Sequence, residues 1–91
     1  MATVVNNPEQ SRYEIHADGQ VAGFTQYRTT PGVIEFVHTE IDDAYEGHGL
    51  GGQLARGALD DVRTTGDKVI ATCPFIKAWI AQHEDYQDLL A

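Results

Sequence analysis

The chain has 91 residues, enough for one domain with a modest core, because domains near this size bury only about 60% of their unfolded surface. Apolar residues make up 42% of the sequence, too many for a disordered chain, and no apolar run approaches the roughly 20 residues that span a membrane. Six Lys and Arg against fourteen Asp and Glu give a formal net charge of −8. This charge argues against nucleic-acid binding and favours cationic partners such as amines or basic peptides, although an acidic surface kept for solubility has the same composition.

The first ten residues are mostly polar and contain Asn6, Asn7 and Pro8, so the sequence predicts a flexible N-terminal arm over residues 1–10 and a single domain over residues 11–91. The arm lacks the basic and apolar regions of a signal peptide. The single cysteine excludes an internal disulfide framework and suits a reducing compartment. We therefore expect a cytoplasmic protein.

Four segments with alternating or β-branched apolar residues predict strands, over residues 12–17, 20–29, 33–41 and 68–73. Asp18 and Gly19 join the first two directly, as a type I′ hairpin turn would, because that turn needs positive φ at both central positions. The third segment is long and rich in β-branched residues, which favours a central strand.

Two helices complete the predicted fold. Before the fourth strand, apolar residues recur every fourth position, at Leu50, Leu54, Ala58 and Val62. Gly57 on this helix predicts close packing on the sheet, and Gly66 lies where a glycine often ends a helix. Pro74 opens a second predicted helix over residues 74–90, whose apolar face comprises Phe75, Ile76, Trp79 and Ile80, with Tyr86, Leu89 and Leu90 docking its tail. The fold class is therefore α+β, an antiparallel sheet with a β-α-β crossover and a C-terminal helix.

The loop before the first helix is unusually rich in glycine. The stretch "YEGHGLGGQL" places four glycines between Gly47 and Gly52. Helix N-termini carry unpaired N–H groups and a partial positive charge, and glycines let an anion approach them closely. The stretch fits neither a Walker loop nor a dinucleotide-binding fingerprint. Phosphate binding and a plain structural loop both remain open from these residues alone.

Five motifs in order then resemble the small, single-domain branch of the GCN5-related N-acetyltransferases. They are His38-Thr39, Gly47-x-Gly49-x-Gly51, Cys73-Pro74-Phe75, Trp79-Ile80 and His83 with Tyr86. The resemblance runs from about Arg12 to Tyr86. It implies a compact acetyltransferase fold in which the strands on either side of the first helix run parallel and then splay apart.

The resemblance also implies acetyl-CoA as the acetyl donor. Its pantetheine arm would pair with the strand backbone from Thr39 to Ile41, and its pyrophosphate would bind the loop residues Glu46, Gly47, His48, Gly49, Leu50, Gly51 and Gly52. Glu46 stands where larger family members often carry Arg or Gln, and so brings a negative charge near the pyrophosphate. The direct Asp18-Gly19 turn replaces two helices that build the acceptor site in full-length members. The resemblance implies an amine as the acetyl acceptor, and without those helices the sequence does not identify the amine.

Cys73 is the residue on which the catalytic interpretation depends. The resemblance places it near the acetyl thioester, where a thiolate could accept the acetyl group; a buried core thiol is the other interpretation. The candidate bases are His38, Glu40 and His83, although an isolated histidine is more often structural. Histidine and cysteine are scattered without metal-ligand spacing, so we expect no metal site.

The sequence thus supports an acetyl-CoA-dependent N-acetyltransferase. The alternatives are a CoA-binding module without efficient catalysis and a purely structural domain. An exposed sheet edge would allow a weak homodimer, but a monomer is equally consistent with the sequence.

Overall fold

A computed structural model describes residues 2–91. They form one five-stranded sheet covered by helices, and the strands lie side by side in the same order as in the sequence. Successive strands from β1 to β4 pair antiparallel, and β5 pairs parallel with β4 across a helical crossover. The strands are β1 (Ala2–Asn7), β2 (Arg12–Ala17), β3 (Gln20–Thr30), β4 (Val33–Ile41) and β5 (Lys68–Ala71). The α+β class and the parallel crossover predicted from the sequence are confirmed. Asp18 and Gly19 adopt positive φ angles of 53° and 78°, as the predicted hairpin requires.

The N-terminal segment differs from the sequence expectation. Residues 1–10 were expected to form a flexible arm, but Ala2–Asn7 pair with β2 along their whole length. Val4 packs against α1, and the Tyr27 hydroxyl donates a 2.6 Å hydrogen bond to Asn6. The expectation of a loose arm is therefore wrong for these residues, because their order comes from pairing and packing with distant parts of the chain. Met1 lies outside the described residues.

The crossover helix, α1, spans Leu50–Thr65 and buries the predicted apolar stripe. Gly57 packs so closely on β1 that an added Cβ would lie 2.7 Å from the Val4 Cβ. Gly66 ends the helix with a left-handed φ of 81°. The predicted close packing and helix end are both confirmed.

The C-terminal helix is shorter than predicted. Helix α2 spans Pro74–Ala81 and gives way to a 3-10 segment, Glu84–Leu89. The expected continuous helix over residues 74–90 is wrong because His83 adopts an extended conformation, with φ −130° and ψ 90°. This break turns Tyr86 back to α1, where its hydroxyl donates a 2.6 Å hydrogen bond to Asp60.

The predicted apolar face of α2 is only partly confirmed. Ile76, Trp79 and Ile80 are buried, but Phe75 is 40% exposed because its ring lies over the helix start at Gly51 instead of in the core. At the tail, Tyr86 and Leu89 are buried as expected. Leu90 is exposed because its backbone, not its side chain, pairs with β5.

Both helices cover the same face of the sheet. Apolar side chains from the sheet, α1, α2 and the 3-10 segment form one buried cluster around Phe36, Leu54 and Trp79. The other face carries exposed polar side chains such as Gln26 and Arg28, and we call it the open face. Neither helix of the described residues has the length and apolar character needed to cross a bilayer.

Candidate functional site

A wedge opens between β4 and β5 beyond Phe36. The two strands are in register from Val33 and Lys68 to Phe36 and Ala71, and the Phe36 carbonyl accepts hydrogen bonds from the amides of Thr72 (3.1 Å) and Cys73 (2.9 Å). Beyond that point β4 continues to Ile41, whereas the chain after β5 turns into α2. Within residues 2–91, the β4 backbone from 37 to 41 therefore has no strand partner on this side.

A β-bulge in β4 determines which side chains face the wedge. Phe36 lies opposite Tyr27, and His38 lies opposite Gln26, so Val37 is an extra residue. Side chains alternate along a strand, and one extra residue reverses the alternation. Thr39 consequently points to the helix-covered face, and His38 points to the open face.

The glycine loop leaves helix N-terminal amides free. Gly47 and Gly49 adopt left-handed φ angles of 80° and 73°, and α1 begins directly after Gly49. The first intrahelical bond is donated by Gln53, at 3.3 Å from the Gly49 carbonyl. Among the described residues, no backbone acceptor meets the amides of Gly47, Gly49, Leu50, Gly51 and Gly52.

These amides line an open position, which we call the cradle, where an anion could accept their hydrogen bonds. An added Cβ on Gly47 or Gly49 would meet nothing within 4 Å, so the space above the loop is open. The partial positive charge of the helix N-terminus favours an anion there. One predicted contact is less available, because the His48 amide already donates to the Tyr45 carbonyl at 3.4 Å. The Glu46 side chain lies exposed to solvent beside the cradle.

Cys73 lies at the inner end of the wedge. It follows β5 by two residues and is the N-cap of α2, so it begins the helix instead of ending the strand as predicted. Its side chain is 3% exposed, and its Sγ lies 3.2 Å from the Thr39 Oγ1. Thr39 Oγ1 in turn lies 2.9 Å from Thr25 Oγ1. The thiol is thus buried but has polar partners.

The predicted bases lie apart from this thiol. His38 and Glu40 are neighbours on the open face, with the His38 Nε2 3.4 Å from the Glu40 Oε1, and both side chains are more than half exposed. The Phe24 ring contacts His38 edge-on, at 6.2 Å between centroids. Because β4 itself separates them from Cys73, the structure forms no Cys-His or Cys-Glu pair with these residues.

His83 occupies a third position, at the junction of α2 and the 3-10 segment. Its ring stacks on Trp79 with centroids 3.7 Å apart, and its Nδ1 lies 2.6 Å from the Trp79 carbonyl oxygen. The Arg56 guanidinium lies 5.4 Å from the Trp79 ring centroid. These contacts hold His83 at the end of α2, and its Nδ1 bonds to the Trp79 carbonyl instead of to Cys73.

Sequence reasoning missed Thr25. It is fully buried on β3 and reaches Cys73 only through Thr39. The available signal was a threonine among the buried positions of β3, and a pairing register was needed to interpret it. In residues 2–91 no group of three or more His, Cys, Asp or Glu side chains is arranged to hold a metal ion.

Comparison with known proteins gives two kinds of match. A family model described as GCN5-related N-acetyl-transferase matches residues 12–89. Protein NATD1 from Gallus gallus and from Homo sapiens is in each case 35% identical over 51 residues, which is 56% of this chain and 46% and 45% of those proteins. The chain spans about half the length of these curated relatives.

One solved structure matches nearly the whole chain, and a second matches two thirds of it. A GCN5-like protein from Staphylococcus aureus, solved by NMR, has a TM-score of 0.74 at 23% identity and covers 98% of this chain and 87% of its own. A GNAT-family protein from Desulfovibrio desulfuricans has a TM-score of 0.57 at 26% identity, covering 66% of this chain and 41% of its own. The first similarity establishes the fold over nearly the whole chain.

Proposed function

The chain belongs to the GCN5-related N-acetyltransferase family, and from this premise we propose that it transfers the acetyl group of acetyl-CoA to an amine. The observation that supports this most strongly is the wedge beside the free amides of α1. A CoA thioester has an amide-rich arm that can pair with a strand edge and a pyrophosphate that needs an anion site. The two features are close here, because Cys73 lies at the inner end of the wedge and the ring of Phe75, two residues later, lies over Gly51.

In this proposal the pantetheine arm pairs with the β4 backbone from Thr39 to Ile41, on the side that β5 leaves open. The pyrophosphate accepts hydrogen bonds from the free amides between Gly47 and Gly52. Such charge-assisted bonds are stronger than neutral ones. Glu46 can remain in solvent, where its charge is screened from the pyrophosphate.

The acceptor amine approaches from the open face. A groove of about 520 Å³ crosses the ends of β3 and β4 there, lined by Arg12, Phe24, Glu40, Asp42 and Asp43 among others. The Arg12 Nε is bonded to Glu14 at 2.8 Å. Within residues 2–91, no Lys or Arg pairs with the groove's three carboxylates, which are Glu40, Asp42 and Asp43. The groove therefore favours a cationic acceptor, such as an alkylamine or a basic peptide.

The chemistry requires a neutral amine. Its nitrogen attacks the acetyl carbonyl, the bond from that carbon to the CoA sulfur breaks, and the nitrogen loses a proton. Glu40, next to His38 on the open face, is placed to accept the proton from the acceptor side. Cys73 lies on the opposite side of β4, where it could take the acetyl group first as a covalent intermediate.

A calorimetric titration with acetyl-CoA tests the donor site. Gly49 and Gly66 begin and end α1 with nearly the same left-handed φ, so Val imposes similar strain at either position. We expect Gly49→Val to weaken acetyl-CoA binding by at least 100-fold, because its side chain enters the anion cradle. Gly66→Val should destabilise the protein and keep the affinity. Unchanged acetyl-CoA affinity in Gly49→Val would contradict a pyrophosphate site at this loop.

Release of free CoA in the presence of amines tests the reaction. Glu40→Gln should lower kcat about 100-fold while leaving acetyl-CoA binding unchanged, because general bases typically contribute that much or more. The second candidate function, a CoA-binding module without turnover, predicts saturable binding and no CoA release with any amine. No α-helix precedes β4 in residues 2–91, so the open face is uncovered, and this favours that alternative.

Three further expectations complete the proposal. Cytoplasmic location rests on the single cysteine, which suits a reducing compartment. The absence of a nucleic-acid partner rests on the net charge of −8. A monomer or weak homodimer is expected because β1 leaves one uncovered sheet edge.

A further inference from the structure

A row of three side chains leads from the middle of the sheet to the sulfur of Cys73. Thr25 on β3 is fully buried, and its Oγ1 lies 2.9 Å from the Thr39 Oγ1 on β4. Thr39 Oγ1 lies 3.2 Å from the Cys73 Sγ. The Cys73 amide donates to the Phe36 carbonyl at 2.9 Å, so the residue is fixed from both its backbone and its side chain.

The buried position of Thr25 determines the direction of these hydrogen bonds. Each hydroxyl has one hydrogen to donate. Among the described residues, the only side-chain or backbone acceptor near the Thr25 hydroxyl is Thr39 Oγ1. If Thr25 donates to Thr39, the Thr39 hydrogen is directed to the sulfur. The opposite direction would leave the fully buried Thr25 hydrogen without an acceptor, which costs more than leaving a weak S–H donor unpaired.

We propose that Thr25 is a positioning residue for acetyl transfer, because it makes the Thr39 hydroxyl donate to Cys73 and so stabilises the thiolate that receives the acetyl group. This rests on the proposed function. A hydrogen bond to the charged form of a group favours that form. The N-terminus of α2, which begins after Cys73, acts in the same direction.

The transfer balances in two steps. The Cys73 thiolate attacks the acetyl carbonyl, the bond from that carbon to the CoA sulfur breaks, and the CoA thiolate leaves. The neutral acceptor amine then attacks the acetylated Cys73, the bond to Sγ breaks, and the thiolate is restored. The proton lost by the nitrogen passes to water, because Glu40 lies on the opposite face of β4 from Cys73.

Intact-mass spectrometry after incubation with acetyl-CoA, without any amine, tests the proposal in two Thr25 variants and one control. Thr25→Val removes the hydroxyl at nearly constant volume, and we expect acetylation of Cys73 to slow at least tenfold, with its pH profile displaced to higher pH. Thr25→Ser keeps the hydroxyl and should show the wild-type acetylation rate and the wild-type pH profile. Thr29→Val, an exposed threonine on the same strand, is the matched control.

Calorimetry with acetyl-CoA and a thermal melt accompany each variant. If Thr25→Val does not fold, Thr25→Ala is compared with Thr25→Ser instead. The proposal is overturned if the hydroxyl-free variant acetylates Cys73 at the wild-type rate and with the wild-type pH profile, or if Thr25→Ser is as slow as Thr25→Val. Transfer to amines with no acetyl group ever on Cys73 also overturns it and leaves the proposed function intact. No acetyl-CoA binding and no transfer at all overturns both.

Discussion

The two faces of β4 place neighbouring residues in opposite environments. Thr39 is directed toward the helices and is hydrogen-bonded to Thr25 and Cys73. His38 and Glu40, one residue away on either side, lie more than half exposed on the open face. The edge of β4 that splays away from β5 lies between these two faces. In the proposed function, a thioester at this edge of β4 has the buried Cys73 thiol on one side of the strand and the exposed Glu40 carboxylate on the other.

The largest stability effect should come from the helix-covered face. Phe36 is fully buried against the rings of Tyr13 and Tyr27, so Phe36→Ala should lower the free energy of unfolding by about 3–5 kcal/mol in urea titrations. Val5→Ala, on exposed β1, should cost below about 1 kcal/mol. Equal costs would contradict the distinction between the two faces.

Glu14 is the exception on the open face, because it is buried there. Hydrogen bonds from Asn7, His16 and Arg12 lower the pKa of Glu14 from 4.5 to about 2. A lowered folded-state pKa contributes stability above the unfolded value and loses it as the pH falls from about 4.5 to about 2. Unfolding free energy should therefore fall by about 3 kcal/mol over this range.

The matched variants for this acid titration are Glu14→Gln and Glu84→Gln. Glu14→Gln should remove most of the acid-dependent loss and lower stability at neutral pH. Glu84 is exposed in the C-terminal 3-10 segment, and its substitution should leave the pH dependence as in the wild type. If Glu14→Gln lost as much stability in acid as the wild type does, the Glu14 carboxylate would not be stabilised by these hydrogen bonds.

Two glycines of α1 should respond with opposite signs. An added Cβ at Gly57 would lie 2.7 Å from the Val4 Cβ, so Gly57→Ala should cost about 1–3 kcal/mol. At Gly52 the nearest atom would be the Trp79 Nε1 at 3.7 Å, and Ala there should gain up to about 1 kcal/mol from helix propensity. Thermal denaturation of both variants checks this. A neutral Gly57→Ala would mean that β1 does not pack on α1.

The smallest stability effect should belong to His38. The side chain is exposed, with only Glu40 and the edge of Phe24 as partners, so His38→Gln should change unfolding free energy by less than about 0.5 kcal/mol. Acetyl transfer to an amine should nevertheless fall about tenfold, because His38 neighbours the proposed base. A large loss of stability with full activity would reverse the proposed roles of the two faces.

Much of the fold could be predicted because its signals are local. The Asp18-Gly19 turn, the four-residue apolar period of α1 and Gly66 each depend on neighbouring residues. Strand β1 could not be predicted, because Ala2–Asn7 form a strand only by pairing with β2 and packing against α1. The early end of α2 follows from the Trp79–His83 stack and the Tyr86–Asp60 bond, which are tertiary contacts.

The site was predictable as a set of segments but not as a geometry. The bulge at Val37 reverses the alternation after Phe36, so simple alternation would have turned His38 and Glu40 toward the core. The sequence named His38 and Glu40 as candidate bases without a distance to Cys73, and the structure separates them from it by the width of a strand. Thr25 escaped notice because its link to Cys73 depends on the pairing of Thr25 with Thr39.

An NMR titration of the ¹⁵N-labelled protein with CoA would show whether CoA binds in the wedge and at the glycine loop. We expect the largest amide shifts at Gly47–Gly52, in the glycine loop and the start of α1, and at Thr39–Ile41, in the splayed half of β4. The amide signals of β1 and β2, which are remote from the wedge, should not shift. Shifts confined to the open-face groove, or no saturable shift at millimolar CoA, would contradict the proposed site.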